Sequence, residues 1–153
     1  MDKEISEKKQ FERDCPGYNY LPSILPAVPR ILAIGDLHGD VKLTINMFRS
    51  LKLIDCSGTW IATPKNTVVV QVGDQLDSCR PGIKPCSDPT TTTNDVDDII
   101  LLHFFTDLHR QAIRYGGGVY SLFGNHEVLN ARGIMDYVSL KSLTHFFDSD
   151  PFK

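Results

Sequence analysis

No apolar stretch of this chain exceeds four residues, Ile99 to Leu102 being among the longest. A helix that crosses a bilayer needs about 20, so no membrane span is expected. Basic excess is also lacking: 16 Lys and Arg stand against 19 Asp and Glu, a net charge of −3. That balance gives neither the electrostatic footprint of a nucleic-acid binder nor a polybasic membrane signal. The opening MDKEISEKKQFER is charged throughout and holds no secretory apolar core. Cysteines number four, Cys15, Cys56, Cys79 and Cys86. Without a secretory signal they read as free thiols in a reducing compartment, the cytoplasm by default. A disulfide or metal clip between Cys79 and Cys86, which flank one loop, is the alternative. No repeat is present beyond an alternation of strand and helix, and nothing indicates an oligomeric state.

What is there suits one globular domain. The 153 residues are 41% hydrophobic and 23% charged, enough for a core though at the small end for an enzyme. Residues 2 to 13 read as a short polar helix or a frayed tail. Residues 15 to 29, CPGYNYLPSILPAVP, hold four of the nine prolines, which exclude a continuous helix or a central strand. Tyr18, Tyr20, Leu21, Ile24 and Leu25 suggest an extended segment lying along the outside of a core.

A repeated pattern follows, in which a short apolar run leads into a glycine-containing polar turn. RILAIG (30 to 35), TVVVQVG (67 to 73) and GVYSLF (118 to 123) read as buried strands. Between the first two, the spacing of Val41, Ile45, Phe48 and Leu51 predicts a helix over 41 to 53 capped by Asp40, although its first half also alternates like a strand. Between the second and third, a helix is predicted over 95 to 115. Asn94 is its candidate cap, Asp95, Asp97 and Asp98 suit its positive end, and Gly116 to Gly118 stop it. This order defines a layered α/β fold with parallel pairing. Residues 78 to 94 read as a polar loop with a solvated threonine run.

Each of the three strands runs into a motif: GDLHGD (Gly35 to Asp40), GDQLD (Gly73 to Asp77) and GNHE (Gly124 to Glu127). A polar turn with bending glycines would account for any one of them alone. In open α/β sheets, however, ligands sit beyond the carboxyl ends of strands, so Asp36, Asp74 and Asn125 are expected to converge. Carboxylates are seldom buried unless paired or held by a cation. Oxygen donors mixed with imidazole suit Mn, Fe, Zn or Mg. Glycine at each tip lets the chain turn and leaves room for an ion. Glu127 is read as supporting its turn by hydrogen bonding.

Together, GDxHG, GDxxD and GNHE resemble the metallophosphoesterase superfamily, specifically the calcineurin-like group related to serine/threonine phosphoprotein phosphatases. GDQLDSCRP is most similar to members from protists and large DNA viruses, near the Shewanella-like branch. The resemblance covers about residues 30 to 130. It implies a metallophosphoesterase-type sandwich over 30–153, preceded by an extension over 1–29. It further implies two divalent metal ions, Mn, Fe or Zn, with Asp36 and His38 on the first, Asp74 bridging and Asn125 on the second. His126 would then be the general acid, oriented by Asp77, with a ligand role for His126 as the alternative. The activity implied is hydrolysis of phosphomonoesters, on a phosphorylated protein or small molecule. A nucleotide or dinucleoside polyphosphate substrate is the runner-up.

Departures from the family pattern qualify this. Ser78 and Phe123 stand where phosphate-gripping arginines are usual. Arg80 is a candidate substitute, with a solvated loop arginine as the competing reading. The family completes its site with later histidines, whereas this chain has only His103, His109 and His145 to spare. His103 and His109 fall on different faces of the predicted helix. Only the first half of the sandwich is therefore expected, as a fragment, a truncated gene product or one half of an assembly. Such a chain could be weakly active, or serve only as a binding module.

Overall fold

A computed structural model describes residues 2–18, 20–91 and 98–148. The chain opens with α1 (Asp2–Asp14), so the charged N-terminal stretch is a helix. There follow β1 (Ile31–Ile34), α2 (Val41–Ser50), β2 (Val68–Gln71), α3 (Asp98–Ala112), β3 (Gly118–Ser121), α4 (Asn125–Ala131) and α5 (Leu140–Asp148). All three expected strands form, in the order β1-β2-β3, and both pairings are parallel. Ile31 lies opposite Val68, and Val68 opposite Gly118, so the three strands end level with one another.

Helix α2 starts where its sequence predicts, with the Asp40 side chain accepting the Leu43 N–H at 2.7 Å. Period 3.6 thus prevails over the apparent alternation. Helix α3 gives way to a short 3₁₀ turn, Ile113–Tyr115, which stops at Gly116 with a φ of 75°. The expected cap Asn94 and the acidic Asp95 and Asp97 lie outside the described residues.

Alternate residues of the sheet turn to one face, where Ile34, Val69 and Val119 meet Phe48 from α2 and Leu101, Phe105 and Leu108 from α3. Phe48 is fully buried, with its ring centroid 5.3 Å from that of Phe104 and 5.7 Å from that of Phe105. This packing fixes the sheet from one side and sets its carboxyl end firmly in place. The opposite face begins at Ile31, which is 64% exposed.

Two expectations are corrected. The segment from Cys15 to Pro29 does not lie along a core: Tyr18 is 75% and Ile24 85% exposed. The helix-bearing face of the sheet is already filled by α2 and α3, and prolines deny the segment the N–H groups needed to join a strand. Tyr20 finds a ring partner in Phe11 of α1, at 5.8 Å. The second correction concerns the thiols. Cys79 and Cys86 form a disulfide, while Cys15 and Cys56 are free. The loop turns back through Pro81 and Pro85 until the two Cα atoms are 6.0 Å apart, which is bonding range. A reducing compartment thereby loses part of its support. No helix among the described residues is long and apolar enough to cross a membrane.

Candidate metal centre

The tips of β1 and β2 are tied to each other by main-chain hydrogen bonds before any side chain takes part. The N–H groups of Leu37 and His38 both donate to the Asp74 carbonyl, at 2.9 and 3.0 Å, and Gly39 donates to the Gln75 carbonyl at 2.7 Å. Such tight turns need unusual dihedrals: φ is 46° at His38, 54° at Asp74 and 68° at Asp77. Side chains seldom adopt positive φ, and residues held there cluster at functional sites.

Glu127 secures these turns from α4. Its buried carboxylate accepts the N–H groups of Asp74 (2.8 Å), Gln75 (2.8 Å), Leu76 (3.3 Å) and Gly124 (2.8 Å). The supporting role read from the sequence is what the structure shows. Gly73 and Gly124 let the tips of β2 and β3 meet. A side chain on Gly73 would strike the Gly124 backbone, and one on Gly124 would strike the Asp74 carboxylate.

Donor atoms of His38, Asp74 and His126 all lie within 4.8 Å of one another. Asp74 is 8% exposed, and its Oδ1 accepts the His126 backbone N–H at 2.9 Å. His38 Nδ1 lies 3.1 Å from the Leu76 carbonyl, a contact that leaves Nε2 for a ligand. The rings of His38 and His126 meet edge to face, with centroids 4.8 Å apart.

Asp77 does not join this group. It is buried behind it, with Oδ2 2.9 Å from His126 Nδ1. The pair occupies Nδ1 and leaves Nε2 as the ring nitrogen outside that contact. Asp36 sits just beyond β1, its side chain 63% exposed and Oδ2 3.9 Å from His38 Nε2, and it lies outside the close group. Asn125 is the first residue of α4 and is exposed. Arg80 is exposed, and its guanidinium donates to the carbonyls of Asp77 (2.8 Å) and Cys79 (2.9 Å), its own loop. His103 is exposed on α3, and His109 Nδ1 lies 2.8 Å from the Val119 carbonyl.

Three residues near the site escaped the sequence reading. Asn130 donates to both carboxylate oxygens of Asp77, at 3.1 and 3.0 Å. Tyr137 sets its ring 4.8 Å from that of His126. Asp98, buried at the start of α3, accepts the Asp77 N–H at 3.4 Å and the Ser142 hydroxyl at 2.7 Å. Asn130 had a signal available, since it stands four residues after His126 and so on the same helix face. Tyr137 and Asp98 had none of that kind.

The Asp74 carboxylate and the His38 imidazole, anchored through its far nitrogen, converge at a strand-tip cleft beside His126 and form a donor set that suits a divalent cation. Family relationship agrees. Residues 29–152 match the family model for calcineurin-like phosphoesterases, and the chain belongs to that family, whose members use divalent metal ions. It is 39% identical over 117 residues to Shewanella-like protein phosphatase 2 of Arabidopsis thaliana, a match covering 76% of this chain and 25% of that protein. Shewanella-like protein phosphatase 1 of Plasmodium berghei (strain Anka) is 32% identical over 121 residues, covering 79% of this chain and 28% of the relative. The chain thus spans about a quarter of the length of these curated relatives. Its fold resembles a cold-active protein-tyrosine phosphatase of a psychrophile Shewanella sp., with a TM-score of 0.66 and 24% identity, covering 83% of this chain and 33% of that one.

Proposed function

We propose that this chain carries the metal-binding and proton-donating half of a phosphomonoesterase whose substrates are phosphorylated proteins. The observation that carries the reading is the buried His126–Asp77 pair, 2.9 Å apart, set against the His38–Asp74 group. We assign residues 30–153 to the phosphoesterase domain and 1–29 to an extension. Two divalent ions, Mn, Fe or Zn, would be held by Asp36, His38, Asp74 and Asn125. Bound there, they would clamp the phosphoryl group and offset charge on its oxygens.

The chain's own residues account for the rest. Asp77 accepts the Nδ1–H of His126 and orients the ring, so that Nε2, once protonated, can give a proton to the departing ester oxygen. Tyr137 limits the rotation of the ring from its edge. Glu127 holds the backbone at Asp74 and so keeps the carboxylate in place. Protein substrates are favoured over nucleotides because the curated relatives are named protein phosphatases. The cytoplasm is retained as the compartment on the free thiols of Cys15 and Cys56, against which the Cys79–Cys86 bond argues.

Substitution of the acid tests the reading. On a phosphoserine peptide with Mn²⁺, His126→Asn lowers kcat by about 10²–10⁴-fold. The loss is smaller on p-nitrophenyl phosphate, whose leaving group departs readily as an anion. Asp77→Asn shows the same trend with a smaller loss. Metal content stays level in both variants. Equal impairment on both substrates, or a loss of metal in His126→Asn, makes His126 a ligand. Metal binding with no turnover makes the chain a binding module.

A further inference from the structure

We propose that Asn130 is a positioning residue that sets the carboxylate of Asp77 and, through it, the orientation and tautomer of His126. The inference rests on the reading of His126 and Asp77 as a working pair. His126 and Asn130 stand one helical turn apart on α4, so both point toward Asp77. Asp77 Oδ2 is shared between His126 Nδ1 at 2.9 Å and the Asn130 amide nitrogen at 3.0 Å, and the same nitrogen reaches Oδ1 at 3.1 Å. Asp77 is 2% exposed, so its carboxylate depends on protein donors.

The amide is turned at the expense of its own oxygen. Asn130 Oδ1 is buried and accepts no hydrogen bond among the described residues. Rotating the amide by half a turn would aim that oxygen at the carboxylate, oxygen against oxygen. The orientation is therefore dictated by Asp77, and the grip is one-sided: Asn130 donates and receives nothing there. Its effect is to hold the carboxylate plane so that Oδ2 meets Nδ1. That contact keeps the neutral imidazole protonated at Nδ1, with Nε2 the nitrogen that takes up and passes on the transferred proton.

A purely structural asparagine would affect stability and leave the ring's proton where it is, so the tautomer of His126 discriminates between the two roles. Long-range ¹H–¹⁵N spectra of the metal-free full chain, at a pH where the ring is neutral, read it directly. The unsubstituted chain shows His126 as a single Nδ1–H tautomer with a hydrogen-bonded, slowly exchanging proton. Asn130→Leu, which keeps the shape without the donor, loses that slow proton and moves the ring toward the mixture of free imidazole. Asn130→Asp, which sets a second carboxylate against Asp77, moves it further. If Asn130→Leu does not fold, Asn130→Ala gives the same reading with less volume. Variants that fold and keep the single tautomer overturn the positioning role and leave the His126–Asp77 pair standing. If the unsubstituted chain lacks the Nδ1–H signal, or Asp77→Asn does not change it, the pair itself fails and the role of Asn130 fails with it.

Discussion

The Glu127 carboxylate lies 2.8 Å from the backbone nitrogen of Asp74, a residue 53 positions earlier in the chain. It binds the first turn of α4 to the end of β2, and with Gln75, Leu76 and Gly124 it receives the N–H groups of both strand tips. Hydrogen bonds to a charged group contribute about 1.5–3 kcal/mol each, and a buried donor left unpaired costs a similar amount. Glu127→Ala is expected to lower the unfolding free energy by about 3 kcal/mol or more, measured by urea denaturation. Glu127→Gln keeps one acceptor oxygen but turns an amide N–H₂ toward backbone donors, so a loss of about 1–3 kcal/mol is expected. A change below about 0.5 kcal/mol for Glu127→Ala would show that water satisfies those groups instead.

The covalent tie in the next loop has its own expected signature. Cys79 and Cys86 are seven positions apart, so their bond closes a short ring. Loop closure of that size is worth about 2–3 kcal/mol. Cys79→Ser combined with Cys86→Ser should destabilise the chain by about that much. A reducing agent should bring the unsubstituted chain to the same denaturation midpoint. No difference between oxidised and reduced chain would mean that the loop is held by packing alone.

Much of this fold was legible because its signals are local. RILAIG, TVVVQVG and GVYSLF are apolar runs bounded by glycine or polar turns, and each became a strand of the parallel sheet. The Asp40 cap and Gly116 stop are single-residue signals, read one at a time. At the site, motif spacing brought out His38, Asp74, Asp77, His126 and Glu127. What stayed hidden depends on three-dimensional return. The ring of Tyr137 reaches His126 only because α5 and the segment before it fold back on the site, and sequence spacing does not report that. Asp98 looked like a helix-terminus charge, yet its side chain turns inward to the Asp77 N–H. The disulfide needed the loop's path, since the Cys79 and Cys86 spacing fits a bridge and free thiols equally.

A surface turn remote from the site supplies a pH test. Asp55 holds its carboxyl below the usual range, chiefly through the Ser57 hydroxyl and then the Thr59 N–H. Ser57 Oγ and both backbone N–H groups reach Oδ1 between 2.7 and 2.9 Å. A depressed folded-state pKa means stability that is present above the unfolded value near 3.8 and fades as pH falls through the folded value. Asp55→Asn should therefore be less stable than the unsubstituted chain near neutral pH. The gap should close in acid, as thermal melts at pH 7 and below pH 3.8 would show. A gap that stays constant across that interval would mean the turn acts through shape, with no part for the charge.

Motif glycines that look equivalent in the sequence are not equivalent in space. Gly35 opens GDLHGD, and a Cβ there would meet nothing within 4 Å. Gly124 opens GNHE, and a Cβ there would collide with the Asp74 carboxylate and backbone nitrogen. Gly124 has a φ of −91°, which any residue adopts, so the obstacle is room alone. Overpacking of this kind costs about 1–3 kcal/mol when neighbours must move. Here the neighbour that moves is the carboxylate placed at the centre of the donor group. Calorimetric titration with Mn²⁺ should give weak binding to the unsubstituted chain, because few side chains are at hand for sites that each take about six donors. Gly35→Ala should leave that binding unchanged. Gly124→Ala should weaken it about 10–100-fold, the range seen when the support of a ligand is disturbed. Asp74→Ala, which removes the donor itself, should abolish it. Equal binding by the two alanine variants would mean that Asp74 is not where the cation is held, and the donor group would have to be sought around Asp36 instead.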